Sequence, residues 1–153
     1  RAKTFFVTSA NEMYEAVMAN IHDQDLFISC AAVSDYRPKK VSPNKIKKDS
    51  NKQTIELVAN KDILSDVCHL KDKPICIGFA AETENYIKNA NQKLKNKNCD
   101  AIILNDVSNS EIGLQSDENE VHFITRNGSE KINKNSKQII AEKIVKKITE
   151  EFF

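Results

Sequence analysis

The chain repeats one arrangement: a short β-prone or wholly apolar run, then a stretch with apolar side chains every three or four positions, then another run. Leu26 to Val33, Pro74 to Ala80 and Ala101 to Leu104 are apolar on both alternating faces, as strands buried on both sides are. A parallel neighbour is reached only by a crossover, usually a helix, so this alternation specifies βαβ units and a parallel sheet with right-handed crossovers. The opening conforms. Thr4 to Val7 is β-rich, Ser9 and Glu12 have capping-box spacing, and Met13, Val17 and Ile21 form a helical stripe. A polar stretch from Ser34 to Gln53, holding Pro38 and Pro43, predicts an ordered but mobile loop. Thr54 to Val58 predicts a short strand, Asn60 the cap of a helix carrying Ile63, Leu64, Val67 and Leu70, and Glu84 to Asn98 a polar helix.

The last third changes character. Val121 to Thr125 and Glu130 to Ile132 flank Asn127-Gly128, and Asn-Gly between β-prone runs predicts a hairpin that adds antiparallel strands at one sheet edge. Val121, Phe123 and Ile132 give that hairpin an apolar side, which predicts pairing with a second copy through the hairpin around Asn127-Gly128 rather than folding back on its own domain. Ser136 precedes a helix with Ile140, Ile144, Ile148 and Phe152 at four-residue intervals, enough to close one face of the sheet. No repeat and no linker divides the 153 residues. The expected fold is one α/β domain over residues 1–153: a Rossmann-like parallel sheet flanked by helices, with an added antiparallel hairpin near the C-terminus.

Composition excludes more than it identifies. Formal net charge is +1 and no apolar stretch approaches the ~18 residues of a membrane span, so neither nucleic acid nor membrane is an expected partner. Locally the balance differs: Arg37, Lys39, Lys40, Lys45, Lys47, Lys48 and Lys52 stand against Asp49 alone. Cys30, Cys68, Cys76 and Cys99 show neither a CxxC nor the histidine spacing of a zinc site, which suits reduced thiols in a cytoplasmic protein. With 3 glycines in the chain, there is neither a GxGxxG fingerprint nor a P-loop. His22, His69 and His122 have no serine or cysteine elbow nearby, so triad chemistry has no support.

In an open α/β sheet, ligands bind beyond the carboxyl ends of the strands. Polar clusters fall there: Ser34 to Tyr36, Glu82 to Glu84, and Asn105 to Ser108. Each could equally be a cap or a turn. Ala31-Ala32 and Ala80-Ala81 leave backbone uncovered, which admits either a flat nucleobase or a closely packed helix. The run Lys45 to Lys48 on a proline-bounded loop could converge on a triphosphate or be a solvated face, and the same choice holds for Lys93 and Lys97, one helical turn apart.

Taken in order, Ala31 to Pro38, Lys45 to Lys48, Asn60 to Ile63, Gly78 to Thr83 and Asn105 to Ser108 resemble the motif series of the phosphopantothenate–cysteine ligases of the bacterial, CTP-using type. The resemblance implies ligation of 4′-phosphopantothenate to L-cysteine through an acyl-cytidylate, with CTP as co-substrate and Mg²⁺. It implies that Ser29, Cys30 and Ala31 face the nucleotide with their backbone, and that Asp35 and Lys45 contact it, Lys45 being the catalytic lysine on a flap. Lys61, Asp62, Ile63 and Leu64 would supply a helix start, with Lys61 where the family often has proline. Phe79 would pack on the nucleotide, Lys93 and Lys97 would reach it from the next helix, and Ala32 would lie near the pantothenate. Family members are homodimers, and in bacteria the ligase is usually fused to a flavin-dependent decarboxylase. The family begins with a strand and glycine-rich segment that hold the acyl intermediate, and nothing like them precedes Arg1, so the alternative is a non-catalytic nucleotide-binding or dimerisation fragment.

Overall fold

A computed structural model describes residues 2–48, 52–82, 86–106 and 116–153. Thr83, Glu84, Val107 and Ser108, from two of the expected polar clusters, lie outside the described residues. The chain runs α1 (Ala10–Asn20), β1 (Leu26–Ser29), β2 (Tyr36–Pro38), β3 (Leu57–Ala59), α2 (Ile63–Cys68), β4 (Ile75–Glu82), α3 (Tyr86–Asn96), β5 (Ala101–Asp106), β6 (Glu118–Thr125), β7 (Gly128–Ser136) and α4 (Lys137–Phe152). The main sheet has the order β1-β4-β5-β6-β7. β1, β4 and β5 are parallel, while β6 and β7 are antiparallel to their neighbours. β2 and β3 form a separate two-stranded antiparallel sheet.

Alternation along the central strands divides the core into two layers. Ile102 and Leu104 of β5 point to one face, where Leu64, Val67 and Cys68 of α2 and Ala90 and Leu94 of α3 cover them. Ala101 and Ile103 point to the other, where Val121, Phe123 and Ile132 meet Ile140, Ile144 and Ile148 of α4. Each large apolar side chain buried in these layers is worth roughly 1.5–3 kcal/mol relative to exposure. Gly78 on β4 lets α2 approach: a Cβ there would lie 2.6 Å from Leu64 Cδ2 and 2.9 Å from Ile102 Cδ1.

Several expectations need correction. Thr4 to Val7 forms no strand: it makes no ladder with another strand among the described residues, and Phe6 is 96% exposed. The run Leu26 to Val33 is a strand only as far as Ser29, where its ladder with Gly78 ends, and β1 is a half-buried edge strand rather than a fully buried one. The loop after Ser34 contains β2, whose three residues pair with Leu57 to Ala59. Asn60 does not cap α2; Asp62 does, its carboxylate accepting from Ser65 N at 3.0 Å. The hairpin turns on Arg126 and Asn127, one residue earlier than Asn-Gly, since Thr125 pairs with Gly128. Its apolar side is taken up by α4, with Val121, Phe123 and Ile132 buried, so that face is not left for a second copy. The Ser9 cap is as expected, but Glu12 reaches past Ser9 to Thr8, accepting from its N and Oγ1 at 2.8 Å each.

Candidate functional site

A hollow of about 400 Å³ opens at the carboxyl ends of β1, β4 and β5. Its walls follow from the topology. Ser29 ends β1, and Cys30, Ala31 and Ala32 continue as exposed chain outside any strand, with no side chain larger than a thiol. Phe79, Ala80 and Ala81 come from the end of β4. Ile63 and Leu64 line the hollow yet are 7% and 8% exposed, so they offer it mainly backbone. Lys93 enters from α3, Lys97 from the turn that follows it, and Lys61 from the turn before α2. Eleven residues expected at the nucleotide from sequence, Ser29, Cys30, Ala31, Asp35, Lys61, Asp62, Ile63, Leu64, Phe79, Lys93 and Lys97, line this one hollow together with Ala32, expected near the pantothenate. Lys45 does not: it is exposed on the loop that follows β2.

Electrostatics here are partly neutralised from within. Lys97 Nζ lies 2.9 Å from Asp62 Oδ2, and Lys61 Nζ lies 4.0 Å from the centre of the Tyr14 ring. Burial works to raise the Asp62 pKa, but the Ser65 N–H and the Lys97 ammonium outweigh it, so Asp62 sits below its ordinary value of 3.8. Two residues, Asn60 and Arg37, fix the rim. Asn60 N donates to Asp35 O and Asn60 Nδ2 to Ser34 O, both at 2.8 Å. Arg37 Nη1 donates to Ala59 O at 2.8 Å and to Asn60 Oδ1 at 3.0 Å. Asn60 therefore ties the chain after β1 to the chain after β3, a role its sequence position between a strand and a helix disguised as a cap.

Asn105, at the end of β5, completes the hollow beside Ala81. Its Oδ1 accepts from Asn119 Nδ2 on β6 at 3.0 Å. Nothing in the sequence marks Asn119, because its approach depends on the register of β6 against β5, in which Val121, two residues on, is the partner of Asn105. A second hollow of about 460 Å³ shares Ala32, Val33, Ser34 and Asn60 with the first and continues to Thr8, Ser9 and Arg37. Among the described residues no group of three or more histidine, cysteine or acidic side chains could hold a metal ion by itself.

The fold and sequence have clear relatives. The chain is 42% identical over 147 residues to the coenzyme A biosynthesis bifunctional protein CoaBC of Haemophilus influenzae, covering 95% of this chain and 36% of that protein. It is 41% identical over 146 residues to the CoaBC of Escherichia coli, covering 93% of this chain and again 36% of that protein. The chain thus spans 36% of the length of these relatives. The crystal structure of a CoaBC C-terminal domain superposes with a TM-score of 0.74 at 36% identity, over 93% of this chain and 62% of that one. A flavoprotein from Streptococcus pneumoniae shares the fold, with a TM-score of 0.76 at 23% identity over 94% of this chain and 70% of its own. The profile of one family, the C-terminal domain of DNA/pantothenate metabolism flavoproteins, matches residues 1–152. With sequence, fold and hollow in agreement, the chain belongs to the DNA/pantothenate metabolism flavoprotein C-terminal domain family.

Proposed function

We propose that this chain carries the nucleotide site of a ligase that joins 4′-phosphopantothenate to L-cysteine using CTP. The observation that carries the reading is the convergence, at the strand ends, of three lysines with uncovered backbone at Ser29 to Ala32 and the Phe79 ring. Cations suit phosphates, and uncovered peptide edges suit the donor and acceptor pattern of a nucleobase. The 4′-phosphopantothenate carboxylate attacks the α-phosphorus of CTP, pyrophosphate leaves, and the cysteine amine then opens the acyl-cytidylate with release of CMP. A carboxylate oxygen leaves poorly until the nucleotide is attached to it, which is the reason for the first step. Fixed cations around the phosphates disperse the charge that develops there, an effect of about 3–4 kcal/mol for one well-placed contact.

The loop after β2 holds Lys45, and its closure over the hollow would bring that ammonium to the triphosphate. Ala32 lines both hollows, so the acyl group belongs at their junction and the second hollow is the proposed place for the pantothenate arm. Mg²⁺ would be carried chiefly by the phosphate oxygens, with the exposed Asp35 carboxylate as the acidic group at the rim; it would neutralise phosphate charge. A homodimer and a fused or associated flavin-dependent decarboxylase complete the proposal, in line with the bifunctional CoaBC relatives. The test is turnover of the full protein with CTP, 4′-phosphopantothenate and cysteine. One CMP and one pyrophosphate per peptide bond are expected. Product formation with no nucleotide consumed would overturn the reading.

A further inference from the structure

Asn119 and Asn105 form a chain of two carboxamides whose direction is set by the backbone. Glu120 N can only donate, and it donates to Asn119 Oδ1 at 2.9 Å. That leaves Asn119 Nδ2 turned outward, where it donates to Asn105 Oδ1 at 3.0 Å. Asn105 is half-buried at the wall of the strand-end hollow, and with its carbonyl oxygen held by Asn119 its NH₂ group is the end turned away from that contact. Asn105 pairs with Val121, and Asn119, two residues along β6 on the same face, is its diagonal neighbour, which brings that amide within reach of the last residues of β5.

From this relay we infer that Asn105 is a ligand-binding residue that presents a hydrogen-bond donor to an acceptor oxygen of the bound nucleotide, and that Asn119 is its positioning residue. The inference rests on the nucleotide reading above and adds to it a polarity: at this point of the wall the protein donates. An asparagine free to rotate about its last torsion would offer donor and acceptor alike and discriminate little. One locked at its oxygen rejects a ligand that places a donor there, because two N–H groups would then face each other in a half-desolvated place. The oxygen it serves is either a carbonyl of the base or an oxygen of the ribose and phosphate chain; the chemistry is shared and the binding data separate them.

The experiment is titration of the full protein with CTP and, separately, with tripolyphosphate, for wild type, Asn105→Ala, Asn119→Ala and Asn119→Asp. Asn119→Asp keeps the shape and the bond from Glu120 N but offers Asn105 only an acceptor, so Asn105 must turn its NH₂ inward and show the hollow its carbonyl. Asn105→Ala and Asn119→Asp are each expected to bind CTP roughly tenfold more weakly, with Asn119→Ala smaller. The double variant Asn105→Ala/Asn119→Asp should be no weaker than Asn105→Ala alone, a non-additivity that loss of folding stability would not produce. Equal losses for tripolyphosphate assign the oxygen to the phosphates; losses confined to CTP assign it to the base or ribose. If wild type binds CTP and Asn105→Ala and Asn119→Asp bind it equally well, the relay has no ligand role and this inference falls while the nucleotide reading stands. Failure of wild type to bind CTP overturns both.

Discussion

Asp62 shows how one side chain can serve both a fold and a site. Its carboxylate caps α2 through Ser65 N and pairs with Lys97, and both contacts favour the ionised form over the opposing effect of burial. A carboxyl whose pKa is lower folded than unfolded contributes stability above its unfolded value, and that contribution disappears as pH falls through the folded one. Asp62→Asn retains a cap acceptor but loses the charge. Its stability should therefore fall short of wild type at neutral pH by less than about 1 kcal/mol, as for other exposed pairs, with the gap closing below pH 3.8 in urea titrations. Lys45 is the opposite case: it is exposed, and no ion pair or hydrogen bond is seen to hold it among the described residues. Lys45→Gln should leave the melting temperature unchanged and stop acyl-cytidylate formation, read by pyrophosphate release. Wild-type pyrophosphate release would remove Lys45 from the proposed chemistry.

At the scale of elements, packing explains which strands and helices could be read from the chain. Pro74 to Ala80 and Ala101 to Leu104 were legible because burial on both faces leaves a continuous apolar run, and β4 and β5 are the central parallel strands. Thr4 to Val7 has equal β-propensity, but propensity describes side chains while a strand requires a partner for its backbone. β2 was hidden because three residues ending in Pro38 can pair only within a small two-stranded sheet. The hollow was largely legible, since strand ends are fixed once the strands are; the Asn119 contact was not, since it depends on the register of β6 against β5. α2 tests this directly. Gly78→Ala drives a methyl into Leu64 and Ile102, both held in the core, and should cost roughly 1–3 kcal/mol while shifting α2 and weakening nucleotide binding. On the other face, Ile144→Ala should cost roughly 2–5 kcal/mol in urea denaturation, because Ile144 joins α4 to the hairpin.

At the scale of the whole molecule, the two layers and the sheet order put every expected ligand residue except Lys45 at one end of the domain. The hairpin face that could have joined two copies is closed by α4 and is not available to a second copy. Phe123→Asp accordingly becomes a test of folding: it should yield little folded protein rather than a stable monomer, as judged by circular dichroism and sedimentation. The four cysteines are distributed across this architecture unequally. Cys68, Cys76 and Cys99 are buried beneath the sheet, Cys68 Sγ lying 3.6 Å from Cys99 Sγ, whereas Cys30 is exposed on the wall of the strand-end hollow. The neighbouring Cys76 thiol favours Cys68 ionisation, but the Cys99 thiol and burial outweigh it and push the Cys68 pKa up to about 12. In this chain, then, a maleimide dye should tag the native domain once and the urea-unfolded domain four times. The single native adduct turns Cys30 into an intrinsic footprint of occupancy, its labelling rate slowing in proportion to the fraction of hollows that hold a guest.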